Sequence, residues 1–557
     1  MGAKKLWAAL SILRIVWCLV PQSGYLHPDE FFQSPEVMAG DILDLDIDRP
    51  WEFLPTNPCR TVVFPLLTSG TAFGIVGLLH QMVFKTTLKS GYILLVAPRL
   101  FMTLLSFILD YTVYRIAPIW GSNRWMSMII LAESYVTLIF YTRTISNAIE
   151  GILFAVLLLL TSPKQSNTGS KKAGSHHYIG SILMAGFFNR PTFVGFAFIP
   201  ILYWAGKSNT SQFSCRVCVT NVVKLFSSSI FTSIIFITAD TLYYKGHFLF
   251  TVQSTETLLD QITQNIVLTP LNFLRYNLNP QNLAQHGSHP LVTHLAVNGI
   301  MLFGILHVTV LFSGIKVLKE LTLKSFHKNQ EDKNQNKQYI SQQTGLLLLL
   351  YFVPLALLSL FRHQEPRFLI PLLLPLVLLV PRLNKTVNRK RVIVIFNIIG
   401  ALFFGCVHQA GLIPSLLHIQ QMVHSTANTS ESLTHYTVLF THTYMPPKYI
   451  LCLKKEQKYV NIIDLAGFPE DHLCQKIGEI RRDLSAKNPK LRSHFMIVFP
   501  GTIRGAVENC GFFFKDNIAF APHLSMEDPP EISHIFSGNI MSLLRLHVAE
   551  IDVYTPD

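Results

Sequence analysis

Residues 344–361 read TGLLLLLYFVPLALLSLF. No charge interrupts them, and no polar face recurs at the helical period. A helix that is apolar all round lies in a core or a membrane, not on a surface. Residues 150–162, EGILFAVLLLLTS, read the same way after their first acid. Such blocks are close to the roughly 20 residues that cross a bilayer core. Lipid offers backbone N–H and C=O groups no partners, so these segments are helices.

The surrounding composition agrees. The 557 residues are 50% hydrophobic and only 14% charged, with mean hydropathy +0.35. Soluble domains carry about 25% charge. Further spans are expected near 5–21, 61–84, 91–114, 124–141, 145–162, 178–205, 219–240, 291–314, 366–381 and 392–410. The chain therefore reads as a polytopic α-helical membrane protein with about 9–11 spans in residues 1–410. Met1 to Lys5 and the apolar run 6–20 read as an uncleaved signal anchor, because Pro21-Gln22-Ser23-Gly24 is a poor cleavage site. Asn189-Arg190-Pro191 in the middle of 178–205 predicts a break there.

The formal net charge is +13. Lys and Arg gather in a few loops, as the positive-inside rule expects, and no zinc-finger spacing or stacking module points to nucleic acid. Loops 315–343 and 382–391 are the most basic and anchor the cytosolic side. Counting from them places loops 22–60 and 241–290, turn 362–365 and everything after about 410 in the lumen. Loop 163–177, with Lys164, Lys171 and Lys172, disagrees with that count.

Residues 411–557 change character. Tyr459–Leu465, His494–Pro500 and Leu546–Tyr554 read as short strands, giving a small α/β lumenal domain. Asn428-Thr429-Ser430 is a glycosylation acceptor on the lumenal side; Asn384-Lys385-Thr386 is one in a cytosolic loop. Cys452, Cys474 and Cys510 have partners to choose among in an oxidising lumen. Cys215-Arg216-Val217-Cys218 lacks a second pair and a nearby His, so it makes a poor zinc site.

Four clusters carry chemistry. His27-Pro28-Asp29-Glu30 follows the first span directly. Arg143, Asn147 and Glu150 have the spacing of one helix face. Arg190 is a charge inside an apolar segment, which is costly and marks a paired or functional site. Arg362-His363-Gln364-Glu365-Pro366-Arg367 forms a tight turn between two spans. Each has a bland reading: boundary charge with a capping role for Asp29 and Glu30, mutual neutralisation for Glu150 and Arg190, interfacial anchoring for Arg362 and Arg367. Together, acids with Arg and His at a membrane surface suit transfer from a lipid phosphate. A base deprotonates a hydroxyl while cations receive the departing phosphate. A transporter or lipid-binding protein is the non-enzyme alternative; it predicts inverted repeats, and none stands out.

HPDEFFQSPEV at 27–37 resembles the first lumenal loop of the GT-C mannosyltransferases of glycosyltransferase family 22, which use dolichyl-phosphate-mannose. The likeness continues through YTRTISNAIEG (141–151), GFFNRPTF (186–193), TPLNFLRYNLNPQNLAQHGSHP (269–290), THLAVNG (293–299), RHQEPRFLIPLLLP (362–375) and THTYMPPKYIL (441–451). FFQSPEV and NLAQHGSHP resemble the branch that adds the fourth mannose to glycosylphosphatidylinositol (GPI) precursors. HPDE alone also fits siblings adding the third GPI mannose or an N-glycan mannose.

The resemblance implies a GT-C fold and an α1,2-mannosyltransferase of the endoplasmic reticulum membrane. Asp29 is then the catalytic base, with Glu30 beside it as the second catalytic candidate. His27, Arg190, Arg362, His363, Glu365 and Arg367 are candidates for the donor phosphate and substrate, and Arg362, His363 and Arg367 can face Asp29 across the bundle. Arg275, Tyr276, His286 and His289 belong to the loop expected to cover the acceptor. No DxD motif occurs and the donor has a single phosphate, so no metal or other cofactor is expected.

Overall fold

The computed structural model describes residues 2–20, 22–84, 90–162, 175–206, 215–246, 265–279, 281–282, 287, 289–326, 342–383, 390–429, 434–457, 459–487, 493–526, 528–531 and 540–552. It is the helical membrane protein with a C-terminal α/β portion that the sequence predicts. Chain contacts divide it into two compact units. The first holds Met1–Ile15, Trp51–Phe64 and Met102–Ile398; the second holds Val16–Pro50, Pro65–Phe101 and Ile399–Asp557.

Among the described residues, five helices are long and apolar enough to cross a membrane: Val63–Met82, Gly91–Ile116, Cys215–Lys245, Gln342–Ser359 and Pro366–Leu383. Other expected spans are shorter or broken, for local reasons. Segment 178–205 splits into Ser175–Asn189 and Phe193–Gly206 at the predicted Arg190-Pro191 break. Proline has no N–H to continue the ladder. Segment 291–314 splits at Gly304, whose φ of +53° is a left-handed conformation that L side chains rarely adopt. Segment 124–141 ends its α-helix at Glu133 and resumes as a wide turn over Val136–Phe140.

In the first unit, helix Cys215–Lys245 packs along Ser175–Asn189, and Ser146–Thr161 packs on the same helix. Thr232 Oγ1 donates to Ser181 Oγ at 3.0 Å across the first of these contacts. Such small polar pairs hold apolar helices together where lipid supplies no hydrophobic drive. Three charges the sequence reading passed over are buried here. Arg14 pairs with Asp110 at 2.7 Å and reaches Ser106 Oγ at 3.1 Å. Asp240 accepts from Thr61 Oγ1, the Val62 amide and Thr269 Oγ1 at 2.7–3.0 Å, tying three segments together.

The second unit contains a five-stranded sheet: β1 (His435–Phe440), β2 (Val460–Asp464), β3 (Ser493–Pro500), β4 (Phe514–Phe520) and β5 (Leu546–Ile551), in the order β2-β1-β3-β5-β4. β1 is parallel to both β2 and β3, while β5 runs antiparallel to β3 and β4. Leu439, Phe495, Ile497, Phe499, Ala549 and Ile551 form a buried face against Leu473 and Ile477 of helix Glu470–Lys487. Cys474 and Cys510 form a disulfide, and Cys452 is a buried free thiol. Asn428 lies in helix Leu412–Thr429; Asn384 and residues 164–174 lie outside the described residues.

Candidate active site

The HPDE stretch lies in the second unit, and its local structure follows from its sequence. Pro28 has a fixed φ and no N–H, so it opens the short helix Asp29–Phe32. The Asp29 amide donates to His27 Nδ1 at 3.1 Å. On one turn of helix the two neighbouring acids then point apart, and their surroundings differ sharply.

Glu30 is 1% exposed. Its Oε1 accepts from Arg99 Nε at 2.9 Å and Arg99 Nη2 at 2.7 Å. Arg99 also donates to the Gln22 carbonyl at 2.8 Å and lies over the Phe31 ring. Burial raises the Glu30 pKa above its ordinary range, and the Arg99 guanidinium opposes that shift. Glu30 is thus an anchor for the helix. Asp29 is half-buried, with 19% of its side chain exposed. Its Oδ1 lies 3.3 Å from His27 Nδ1, and its Oδ2 accepts from Gln33 Nε2 at 2.5 Å. Asp29 is therefore an accessible carboxylate held by Gln33 on one oxygen.

Further contacts fix this loop. Gly24 donates its amide to the Gly405 carbonyl at 2.9 Å; a Cβ at Gly24 would run into the Phe404 and Gly405 backbone. The Tyr25 amide donates to His408 O at 3.0 Å, and His408 Nδ1 donates back to Tyr25 O at 2.7 Å. Tyr25 Oη donates to Met445 O at 2.9 Å. Glu36, fully buried in the following helix Pro35–Ile42, accepts from the Asp48 amide at 3.0 Å and the Tyr449 amide at 3.4 Å. Loss of hydration there pushes the Glu36 pKa up to about 8.

The first unit collects most of the cationic candidates. Glu150 accepts from Thr192 Oγ1 at 2.7 Å and lies 3.9 Å from Arg190 Nε. Arg190 also donates to Ser146 Oγ at 3.0 Å and stacks over the Phe368 ring at 5.1 Å. Arg367 approaches the same ring at 5.6 Å and pairs with Glu365. His363 Nε2 lies 2.8 Å from the other oxygen of Glu365. The His289 amide donates to Arg362 O at 2.8 Å, and the His289 and His363 rings are 6.5 Å apart. Arg190, His363, Glu365, Arg367 and His289 thus form one connected group around Phe368.

Arg362 is exposed, and among the described residues its side chain makes no ion pair. Arg275 is also exposed, on helix Thr269–Leu278, while Tyr276 packs on Trp51 with ring centroids 4.4 Å apart. His286 lies outside the described residues.

One expected face is corrected. Arg143 is not on the helix that carries Asn147 and Glu150, which begins at Ser146. Residues 141–145 form a turn, and Thr142 Oγ1 binds back to the Leu138 and Ile139 carbonyls. Asn147 still reaches Glu150 at 3.4 Å.

Sequence reasoning missed Arg99, Gln33 and His408. Arg99 carried a usable signal: a charge inside an apolar span needs a partner. Gln33 carried a weaker one, four residues after Asp29 on a helical path. His408 carried none, because only the fold brings it to Tyr25.

The chain has relatives among named mannosyltransferases. It is 45% identical to the human GPI alpha-1,2-mannosyltransferase 4 over 99% of this chain and 94% of that one. It is 28% identical to GPI mannosyltransferase 4 of Drosophila melanogaster, covering 93% and 86%. With GPI mannosyltransferase 4 of Saccharomyces cerevisiae it shares 32% over 72% and 69%. Two solved structures align along 99% of the chain. ArnT from Cupriavidus metallidurans bound to undecaprenyl phosphate has 9% identity, a TM-score of 0.44 and 99% coverage of its own length. The arabinofuranosyltransferase AftD from Mycobacteria has 13%, 0.37 and 40%. Those likenesses are too distant to place any residue. Residues 5–452 match the Alg9-like mannosyltransferase family along its sequence profile. With four-fifths of its length so matched, this membrane glycosyltransferase belongs to the Alg9-like mannosyltransferase family.

Proposed function

We propose that the protein transfers mannose from dolichyl-phosphate-mannose to the 2-hydroxyl of the third mannose of a GPI precursor, on the lumenal side of the endoplasmic reticulum membrane. The names of the relatives support the GPI context, and that of the human relative supports the α1,2 linkage. The observation that carries the mechanism is the division of labour between neighbouring acids: Glu30 buried on Arg99, Asp29 accessible and held by Gln33.

In this reading Asp29 takes the proton of the acceptor hydroxyl. That oxygen attacks the anomeric carbon from the face opposite the phosphate, so a β-linked donor gives an α product. The bond from that carbon to the phosphate oxygen breaks, and dolichyl phosphate leaves. Arg362, His363 and Arg367 receive its charge, with Arg190 supporting them through the shared Phe368 ring. Gln33 holds the base, His27 lies beside it toward the substrate, and Glu365 orients His363 and Arg367. Arg275, Tyr276 and His289 bind the acceptor. The reaction as written uses no metal, so chelators are expected to leave transfer unchanged.

Microsomes carrying this protein as their sole source of the activity test the assignment. Labelled mannose is expected on GPI lipids bearing three mannoses and not on those bearing two. Transfer to the two-mannose lipid alone would instead assign the third-mannose step.

A further inference from the structure

The C-terminal sheet sends one loop back to the HPDE segment within the second unit. β1 lies between two parallel neighbours, β2 and β3. Chain connections leave it for one side and later return to the other. In such sheets the carboxyl end of the central strand is where ligands bind. Just past that end come Thr441, His442, Thr443 and Tyr444.

This exit is rigid. His442 is buried with a φ of +55°, a left-handed conformation that a non-glycine residue keeps only when its surroundings hold it there. Its amide donates to Ala466 O at 2.6 Å, and its carbonyl accepts from Ser525 Oγ at 2.5 Å. The reversal delivers Tyr444 to the catalytic loop. The Tyr444 ring meets Tyr25 edge-on at 5.5 Å and His408 at 5.6 Å, and lies 6.4 Å from the His27 ring. His27 in turn lies 3.3 Å from the Asp29 carboxylate and keeps 33% of its side chain exposed. Tyr444 itself is half-buried.

We propose that Tyr444, with His27, is a sugar-binding platform beside Asp29, contributed by the C-terminal sheet domain. Its ligand is the apolar C–H face of a hexopyranose, which the negative face of an aromatic ring attracts. The hexose belongs either to the donor or to the acceptor, and both have the chemistry the ring recognises. This assignment rests on the mannosyl-transfer reading. It adds that the sheet domain is part of the substrate site.

The test uses the full-length protein in microsomes, with Tyr444→Ala, Tyr444→Leu and Tyr444→Phe. Loss of the ring is expected to raise one apparent KM by about ten-fold, with a smaller change in kcat. Titrating donor and acceptor separately shows which sugar is involved. Tyr444→Phe keeps the ring and is expected to rescue the KM; Tyr444→Leu keeps bulk and is expected not to. If the Ala or Leu variant leaves both KM values within two-fold of the parent, or if Leu rescues as well as Phe, the platform is overturned. Saturation-transfer NMR with methyl α-mannoside on the detergent-solubilised protein separates this failure from failure of the reaction. Contact with the parent and Tyr444→Phe that vanishes in Tyr444→Leu supports the platform even where no transfer occurs. No saturation from the parent overturns it.

Discussion

Arg99 and Glu30 illustrate how a single residue fixes the chemistry of its neighbour. A buried charge without a partner costs about 3–5 kcal/mol. Arg99→Ala is therefore expected to lower the thermal midpoint of the solubilised protein and its yield on size exclusion, as a folding defect. A double change, Arg99→Met with Glu30→Met, removes both charges and is expected to recover much of that loss. Equal yields for Arg99→Ala and the parent would show that the pair anchors nothing. The cations of the first unit divide similarly. Arg190 serves a buried Glu150, so Arg190→Ala is expected to destabilise the protein. Arg362 is exposed. Arg362→Ala is expected to keep the thermal midpoint and raise the donor KM by about ten-fold or more, as loss of a charged hydrogen bond does.

Glu36 gives a pH signature at the same scale. Its folded pKa of about 8 lies above the ordinary 4.5, so the folded state holds a proton that the unfolded chain releases first. The stability this contributes is fully present below about 4.5 and is lost as pH rises through about 8. The apparent melting temperature is expected to fall across that window. Glu36→Gln removes the titration and is expected to flatten the slope; an unchanged slope would assign it to other groups.

Among the elements, the break in segment 178–205 was legible because Pro191 and Arg190 are both poor companions for a continuous apolar helix. The break at Gly304 was not, since one glycine in an apolar run announces nothing by itself. β2, β3 and β5 were visible as apolar runs bounded by turns. β4 was not: five central residues from Lys515 to Ala519 are exposed, so this edge strand lacks a buried alternation. The disulfide partner was open among three cysteines, because pairing depends on which thiols the fold brings together. Cys474–Cys510 closes a loop of 36 residues, a length for which about 3–4 kcal/mol of stabilisation is expected. Cys474→Ser is expected to raise the protease sensitivity of residues 434–552 while membrane insertion is retained. Maleimide labelling after denaturation without reductant should mark two more thiols in the reduced parent than in the oxidised one.

For the whole molecule, hydropathy and loop charge were enough for the class: a helical membrane protein with a different C-terminal part. They did not reveal that residues 16–50 belong to the same compact unit as residues 399–557. That pairing comes from hydrogen bonds such as Tyr25 to Met445 and Gly24 to Gly405, separated by hundreds of residues and invisible to any local pattern. It explains why the site was read from one motif while Arg99, His408 and the role of Tyr444 were not. If the sheet domain supports the HPDE loop, a chain truncated after residue 410 is expected to insert in membranes and lose transfer.

The central claim is that Asp29 is the base of a mannosyl transfer and Glu30 is its anchor. Transfer of labelled mannose by full-length Asp29→Asn in microsomes tests it most directly, at matched protein level. The account predicts a loss of about a hundred-fold or more, the usual weight of general-base catalysis, with an unchanged thermal midpoint. Transfer at the parent rate would contradict it.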